Sequence, residues 1–275
     1  MSALRRSPAA VSGTVILVLL AVVAVLSFLG LLPYDPIAQN PPERFLAPSG
    51  SHLFGTDQFG RDVFTRVAAG VGNSALIAVV AVAFATVAGT LGGLVSGFYR
   101  GLADGAIGGV TNVLFAFPPL LLALSLASVL ERNWFTVAVA IAIVYVPIFV
   151  RVTRGPVLSL REIEYVKAAV ATGQSRAQIM FRHVLPNITS IIVIQVALSL
   201  SWAVLTEASL SFLGLGTPPP APSLGSMIFE ARSLVFVAPW TLIAPGAVVV
   251  LLVVGLNLLG DGLRDTLDPR NRGKR

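Results

Sequence analysis

The sequence predicts an all-α integral membrane protein with six transmembrane helices, and three observations carry that expectation. Hydrophobic residues make up 55% of the chain, charged residues only 12%, and the mean hydropathy is +0.85, as expected when the main solvent is lipid. The apolar runs are long enough to cross a bilayer at about 20 residues per helix. The basic residues gather in alternate connecting segments, as retention of Lys and Arg on one side of a membrane requires. Six spans in 275 residues leave no room for a separate soluble domain.

The elements follow in chain order. The first apolar run, 13–32, follows Arg5 and Arg6, an order shared with secretory signals. Its length and the lack of a small-x-small cleavage site in the following GLLPYDP favour a retained helix. Residues 33–72 form a polar, proline-containing segment with Asp35, Glu43, Arg44, Asp57, Arg61, Asp62 and Arg66, expected outside. The second span is expected over 73–98, followed by a short inner turn at Tyr99, Arg100 and Asp104. A third covers 107–130, kinked by Pro118 and Pro119. Glu131, Arg132 and Asn133 make a tight outer loop, and 134–150 forms the fourth span. A basic segment, 151–187, precedes the fifth span at 188–213; the sixth lies at 242–259 and the tail 261–275 closes inside. The chain thus divides into an N-terminal region, 1–72, holding the first helix and an external segment, and a core of five helices, 73–275.

This path places Arg5, Arg6, Arg100, Arg151, Arg154, Arg161, Lys167, Arg176, Arg182, Arg264, Arg270, Arg272, Lys274 and Arg275 on one side. Only Arg44, Arg61, Arg66, Arg132 and Arg232 fall on the other, so both termini are expected in the cytoplasm. Orientation therefore explains the pI near 10.5 better than nucleic acid does, since the charges are dispersed and lack aromatic interleaving. With no cysteine, disulfides, thiolate chemistry and Cys-based metal sites are excluded, and His52 and His183 are too few and too distant in sequence to suggest a metal centre.

Within 151–187, residues 162–171 are rich in helix formers, Gly173 can end that helix, and 174–183 can form a second short helix before Pro186. Ala168, Ala169 and Gly173 would give a small-residue face that another protein can approach closely. Glu164, Lys167, Gln174 and Arg176 would fix its register by polar contacts. From the residues alone, docking of a protein and contact with anionic lipid both remain open. Glu207 is an acid in the fifth span, where ionisable groups line a cavity or find partners. It either faces a pathway or sits near the interface, hydrogen-bonded to backbone or Ser209. Pro218, Pro219, Pro220 and Pro222 stiffen an outer loop. Asp57, Arg61 and Asp62 make either an external contact or an internal salt-bridged turn, and Asp261, Arg264, Asp265 and Asp268 either an ion-paired helix or a solvated end.

The basic segment resembles the coupling loop of permease subunits of ABC importers: E-A-A, three residues, G, nine residues, I, one residue, L-P. The matching positions are Lys167, Ala168, Ala169, Gly173, His183, Leu185 and Pro186, with Lys167 in place of the Glu and His183 in place of the Ile. GTDQFGRDVFTR at 55–66, EASLSFLGLGTPPPAPSLG at 207–225 and NLLGDGLRDTLDPR at 257–270 resemble the dipeptide, oligopeptide and nickel branch, in particular its second permease, usually labelled C. This resemblance implies a type I ABC importer permease fold in a bacterial inner membrane. It also implies a second permease subunit, two cytoplasmic ATPases carrying ATP and Mg, and an extracytoplasmic substrate-binding protein. No catalytic, cofactor-binding or metal-binding residue is expected on this chain. A phosphate-cradling loop needs Gly-Lys followed by Ser or Thr, and the only lysines, Lys167 and Lys274, precede Ala and Arg. Peptide cargo leads, with nickel or glutathione as alternatives within the branch. A stand-alone secondary transporter would show several intramembrane charges or broken helices in matching halves, and a membrane enzyme would show convergent acids and histidines at membrane depth.

Overall fold

The computed structural model describes residues 7–267 and is helical. Among the described residues the sole bridge is an isolated antiparallel pair, Thr56 with Asp62. Arg5, Arg6, Asp268, Arg270, Arg272, Lys274 and Arg275 lie outside the described residues. Ten α-helices run in the order α1 (Pro8–Phe28), α2 (Val63–Tyr99), α3 (Gly101–Ala116), α4 (Pro119–Val129), α5 (Trp134–Arg161), α6 (Glu164–Ala171), α7 (Arg176–Ile179), α8 (Leu185–Phe212), α9 (Leu224–Ala231) and α10 (Trp240–Leu267). Five helical stretches are each long and apolar enough to cross a membrane, and the bent pair α3–α4 makes up to six.

The caps explain most boundaries. Ser7 caps α1, with Pro8 at its first position, where the missing N–H costs nothing. Asp62 accepts from Thr65 N at 2.8 Å and starts α2 ten residues before the expected Asn73, because a capped helix carries its polar first turns into the external segment. At the other end of the span, α5 continues through Arg151 and Arg154 to Arg161, so those two arginines belong to the helix rather than to a loop. Asn133 and Thr136 cap its start reciprocally.

Between α3 and α4 the chain turns by 95° at Phe117 and Pro118. Both residues are extended, since a residue before proline is disfavoured in helical conformation. The expected kink of the third span is thus a full break. α9 was not expected; a reciprocal cap between Ser223 and Ser226 starts it in the proline-rich loop. α10 runs unbroken through Asp261, Arg264 and Asp265, which extend the last span instead of forming a separate helix.

α2, α5 and α8 form the centre, with Ile77, Ala81, Ala85, Ile141, Phe149 and Leu210 in the main core. α2 and α5 approach closely along Gly89, Gly93 and Gly97, a small residue every fourth position. A second apolar cluster sits at one end, where Leu94, Phe98 and Val157 meet Val166, Ala169, Ile179 and Val184. α1 lies against α10 and leaves most of its apolar surface outward, as a lipid-facing helix does.

Candidate functional site

The sequence singled out 151–187, and the structure narrows its projecting part to an elbow made by α6, a turn and α7. α6 ends at Ala171 with Thr172 as its cap, and the next residue, Gly173, adopts φ +79, the left-handed conformation that glycine enters most readily. Gly173 N donates to Val170 O at 3.0 Å and Gln174 N to Ala169 O at 3.3 Å, which satisfies the last carbonyls of α6. Ser175 then caps α7, accepting from Gln178 N. A π-helical turn, Met180–Val184, joins α7 to α8 without interrupting the helix, so the elbow is continuous with a membrane-crossing helix.

The elbow is braced from two sides. Glu162 Oε1 accepts from Arg100 at 2.9 Å and its Oε2 stands 3.3 Å from Lys167 Nζ. Lys167 first of all, then Arg100 and Arg161, holds the Glu162 carboxyl below its ordinary range. On the other side His183 Nε2 lies 3.0 Å from Gln174 Oε1, and Asn187 donates to both His183 O and Tyr165 Oη.

The predicted small-residue face is divided. Ala168 and Gly173 are exposed, and a Cβ added at Gly173 would meet nothing. Ala169, about 100° further round the helix, is buried against the chain's own second cluster. Glu164, Lys167 and Pro186 are exposed, and Leu185 is half-buried at the start of α8.

Where α3 breaks, a cavity of about 670 Å³ opens between α3, α5 and α8. Phe115, Phe117, Tyr145 and Trp202 supply its aromatic wall, and Ser199 and Thr206 its hydroxyls. Tyr145 Oη lies 3.3 Å from Thr206 Oγ1 and Gln195 donates to Ser199 at 3.1 Å. Glu207 does not line this cavity. It is fully buried, accepting from Ser211 Oγ at 2.6 Å, near Ser74 of α2 and Ser223 at the head of α9. The expected partner Ser209 instead donates to Leu205 O, since helical geometry brings residues four apart together.

Asp57, Arg61 and Asp62 resolve as an internal structure at the opposite end from the elbow. Arg61 Nε donates to Asp57 Oδ2 at 2.6 Å, and its Nη2 reaches Glu230 Oε2 of α9 at 2.8 Å. Arg66, almost wholly buried, donates to Pro36 O and Glu230. His52 Nδ1 lies 2.9 Å from Asp62 Oδ1, and Trp240 Nε1 donates to Thr56 O at 3.0 Å, tying the clasp to α10. Sequence reading named neither His52 nor Glu230 as a member of this network; the acid lies too far along the chain to be paired from spacing.

Helices long and apolar enough to cross a membrane, a cavity opening at the α3–α4 break, and one braced elbow continuous with a span are the features of a permease subunit of the type I importer class. The fold matches a chain of a solved structure titled "Inward facing conformations of the MetNI methionine ABC transporter" with a TM-score of 0.59 at 18% identity, over 72% of this chain and 94% of that one.

The chain belongs to the family described as binding-protein-dependent transport system inner membrane component, whose family model matches residues 89–273. The N-terminal TM domain of oligopeptide transport permease C matches residues 1–48. Among its relatives is the dipeptide transport system permease protein DppC of Alkalihalophilus pseudofirmus, 41% identical over 97% of this chain and 88% of that protein. The probable D,D-dipeptide transport system permease protein DdpC of Escherichia coli is 40% identical over 98% and 91%. The glutathione transport system permease protein GsiD of Pectobacterium atrosepticum is 39% identical over 97% and 88%.

Proposed function

We propose that this chain is the second permease of an ATP-driven importer of peptides, forming the substrate pathway together with a different permease subunit. The observation that carries the reading is near full-length similarity to a dipeptide permease, 41% over 97% of the chain. The cavity at the break between α3 and α4 supports it, being wide, aromatic and lined by neutral residues, which suits cargo of varied side chains. Glutathione is a second reading within the same chemistry, favoured by the GsiD relative.

In this reading the elbow faces the cytoplasm, both termini lie on that side, and an extracytoplasmic binding protein delivers cargo at the clasp end. Two ATPase subunits hold ATP and Mg and dock on the elbows of the two permeases. Ala168, Gly173, Glu164 and Lys167 form the contact surface here, while Ala169, Leu185 and Pro186 fix the elbow to α8. Displacement of α6 is passed through the second apolar cluster and the continuous α7–α8 rod to the cavity wall.

The test is substrate-stimulated ATP hydrolysis and uptake in the reconstituted complex. Gly173→Arg, which builds a long charged side chain on the open face, should uncouple the two, while Gly173→Ala reports the backbone cost alone. Intact coupling in Gly173→Arg would overturn the docking surface, and uptake without ATPase subunits would overturn the importer reading.

A further inference from the structure

A cleft of about 420 Å³ lies beside the elbow, between the end of α2, the end of α5 and α6–α7. Arg161, Lys167 and Arg176 line it, with Glu162 the one carboxylate among its lining residues. Glu162 is engaged at close range by Lys167 and Arg100 and acts on Arg161 only at longer range, so a single shared carboxylate faces three cationic side chains in the cleft. Arg161 Nη1 donates to Phe98 O at 2.7 Å, and the Arg176 guanidinium lies 5.3 Å from the Tyr99 ring centroid. These contacts hold both side chains in place without neutralising them, and neither forms an ion pair among the described residues.

The depth of the cleft is set by α2. That helix carries no Asp, Glu, Lys or Arg between Arg66 and Arg100, and Tyr99 stands exposed at the end of this charge-free run. Tyrosine at the close of an apolar span marks the headgroup level of a bilayer. Val170, also exposed, forms an apolar lip on the cleft.

We infer that this cleft binds the phosphodiester of an anionic membrane lipid of the phosphatidylglycerol type, with Arg161 and Arg176 on the phosphate and an acyl chain leaving past Val170. Guanidinium forks match phosphate oxygens, and a positive pocket at headgroup depth selects anionic over zwitterionic lipid. The site concerns lipid and goes beyond the docking of ATPases.

The test is native mass spectrometry of the assembled importer titrated with phosphatidylglycerol, with phosphatidylcholine, and with phosphatidylglycerol plus inorganic phosphate. Wild type should retain phosphatidylglycerol over phosphatidylcholine, and Arg161→Gln with Arg176→Gln should weaken that retention on the order of tenfold, each basic group being a substantial part of such binding. Arg176→Gln alone removes an exposed guanidinium that lies over the Tyr99 ring, so it tests the site with little risk to the fold and should give part of the loss. Unchanged retention in both variants overturns the proposal. So does displacement of the lipid by millimolar phosphate, which would make the cleft a site for soluble anions. Release of ATPase subunits with lipid retention intact also overturns it, because the arginines would then serve a protein contact. Gly173→Arg separates the two readings: lost coupling with retained lipid, or the reverse, distinguishes the failure of one from the failure of the other.

Discussion

Arg61 and Glu230, 169 positions apart in the chain, meet as an ion pair of 2.8 Å that joins the segment before α2 to α9. Arg66 shares the same carboxylate oxygen at 3.4 Å, and Asp57 lies within 3.6 Å of both guanidinium groups. Glu230→Gln would leave two buried guanidinium groups on one Asp. The expected loss is about 3 kcal/mol, at the low end for a broken buried pair because Glu230 keeps some contact with water. A thermal unfolding scan of the purified complex checks it, and an unchanged midpoint would show that α9 is held by apolar packing alone.

Gly93 faces Thr153 across the α2–α5 contact, where an added Cβ would stand 2.5 Å from the Thr153 Cβ and 2.7 Å from Val150 O. Backbone cannot yield as a side chain can, so Gly93→Leu must separate the helices. A loss of about 1–3 kcal/mol follows, together with poor accumulation of the permease in membranes, measured by size-exclusion profile and midpoint temperature.

Glu207 sits among hydroxyl groups rather than on the cavity wall. Glu207→Gln keeps an acceptor for Ser211 and should leave uptake unchanged and stability within about 1 kcal/mol, whereas Glu207→Leu strands Ser211 and should cost about 1–3 kcal/mol. Lost uptake in Glu207→Gln at an unchanged unfolding midpoint would assign the carboxylate a part in the pathway.

Glu162 predicts how the elbow responds to acid. Its carboxyl is held below the ordinary range, so the brace is complete at neutral pH and is lost as pH falls through the lowered value. Hydrogen exchange of α6 amides, after intrinsic-rate correction, should be flat from pH 7 to the upper edge of the ordinary carboxylate range, then rise progressively as pH falls through that range to the lowered value. In Glu162→Gln it should be raised throughout and independent of pH.

The spans and the elbow were legible because lipid imposes a length and because Gly173 marks a helix end wherever it occurs. Boundaries failed where a helix carried charge. Arg151 and Arg154 looked like loop residues, yet Arg154 stays in α5 because Asp104 of α3 accepts from it at 2.6 and 2.7 Å. The start of α2 had a readable signal, Asp62 ahead of an apolar run, which the surrounding charges concealed. The inward turn of Ala169 follows from the 3.6-residue period and was obscured by reading Ala168 and Ala169 as one face. No local pattern could pair Arg61 with Glu230 or place the His52 ring against Asp62.

The two ends of the molecule differ in how much water reaches their ion pairs. At the clasp, the side chains of Asp57, Arg61 and Arg66 are at most 7% exposed and that of Glu230 27%, whereas those of Arg100, Glu162 and Lys167 at the elbow are 45–60% exposed. Mobile ions in solution screen only charges they can surround. Ionic strength is therefore a selective dial on this protein: raising it slackens the elbow while the clasp keeps its shape.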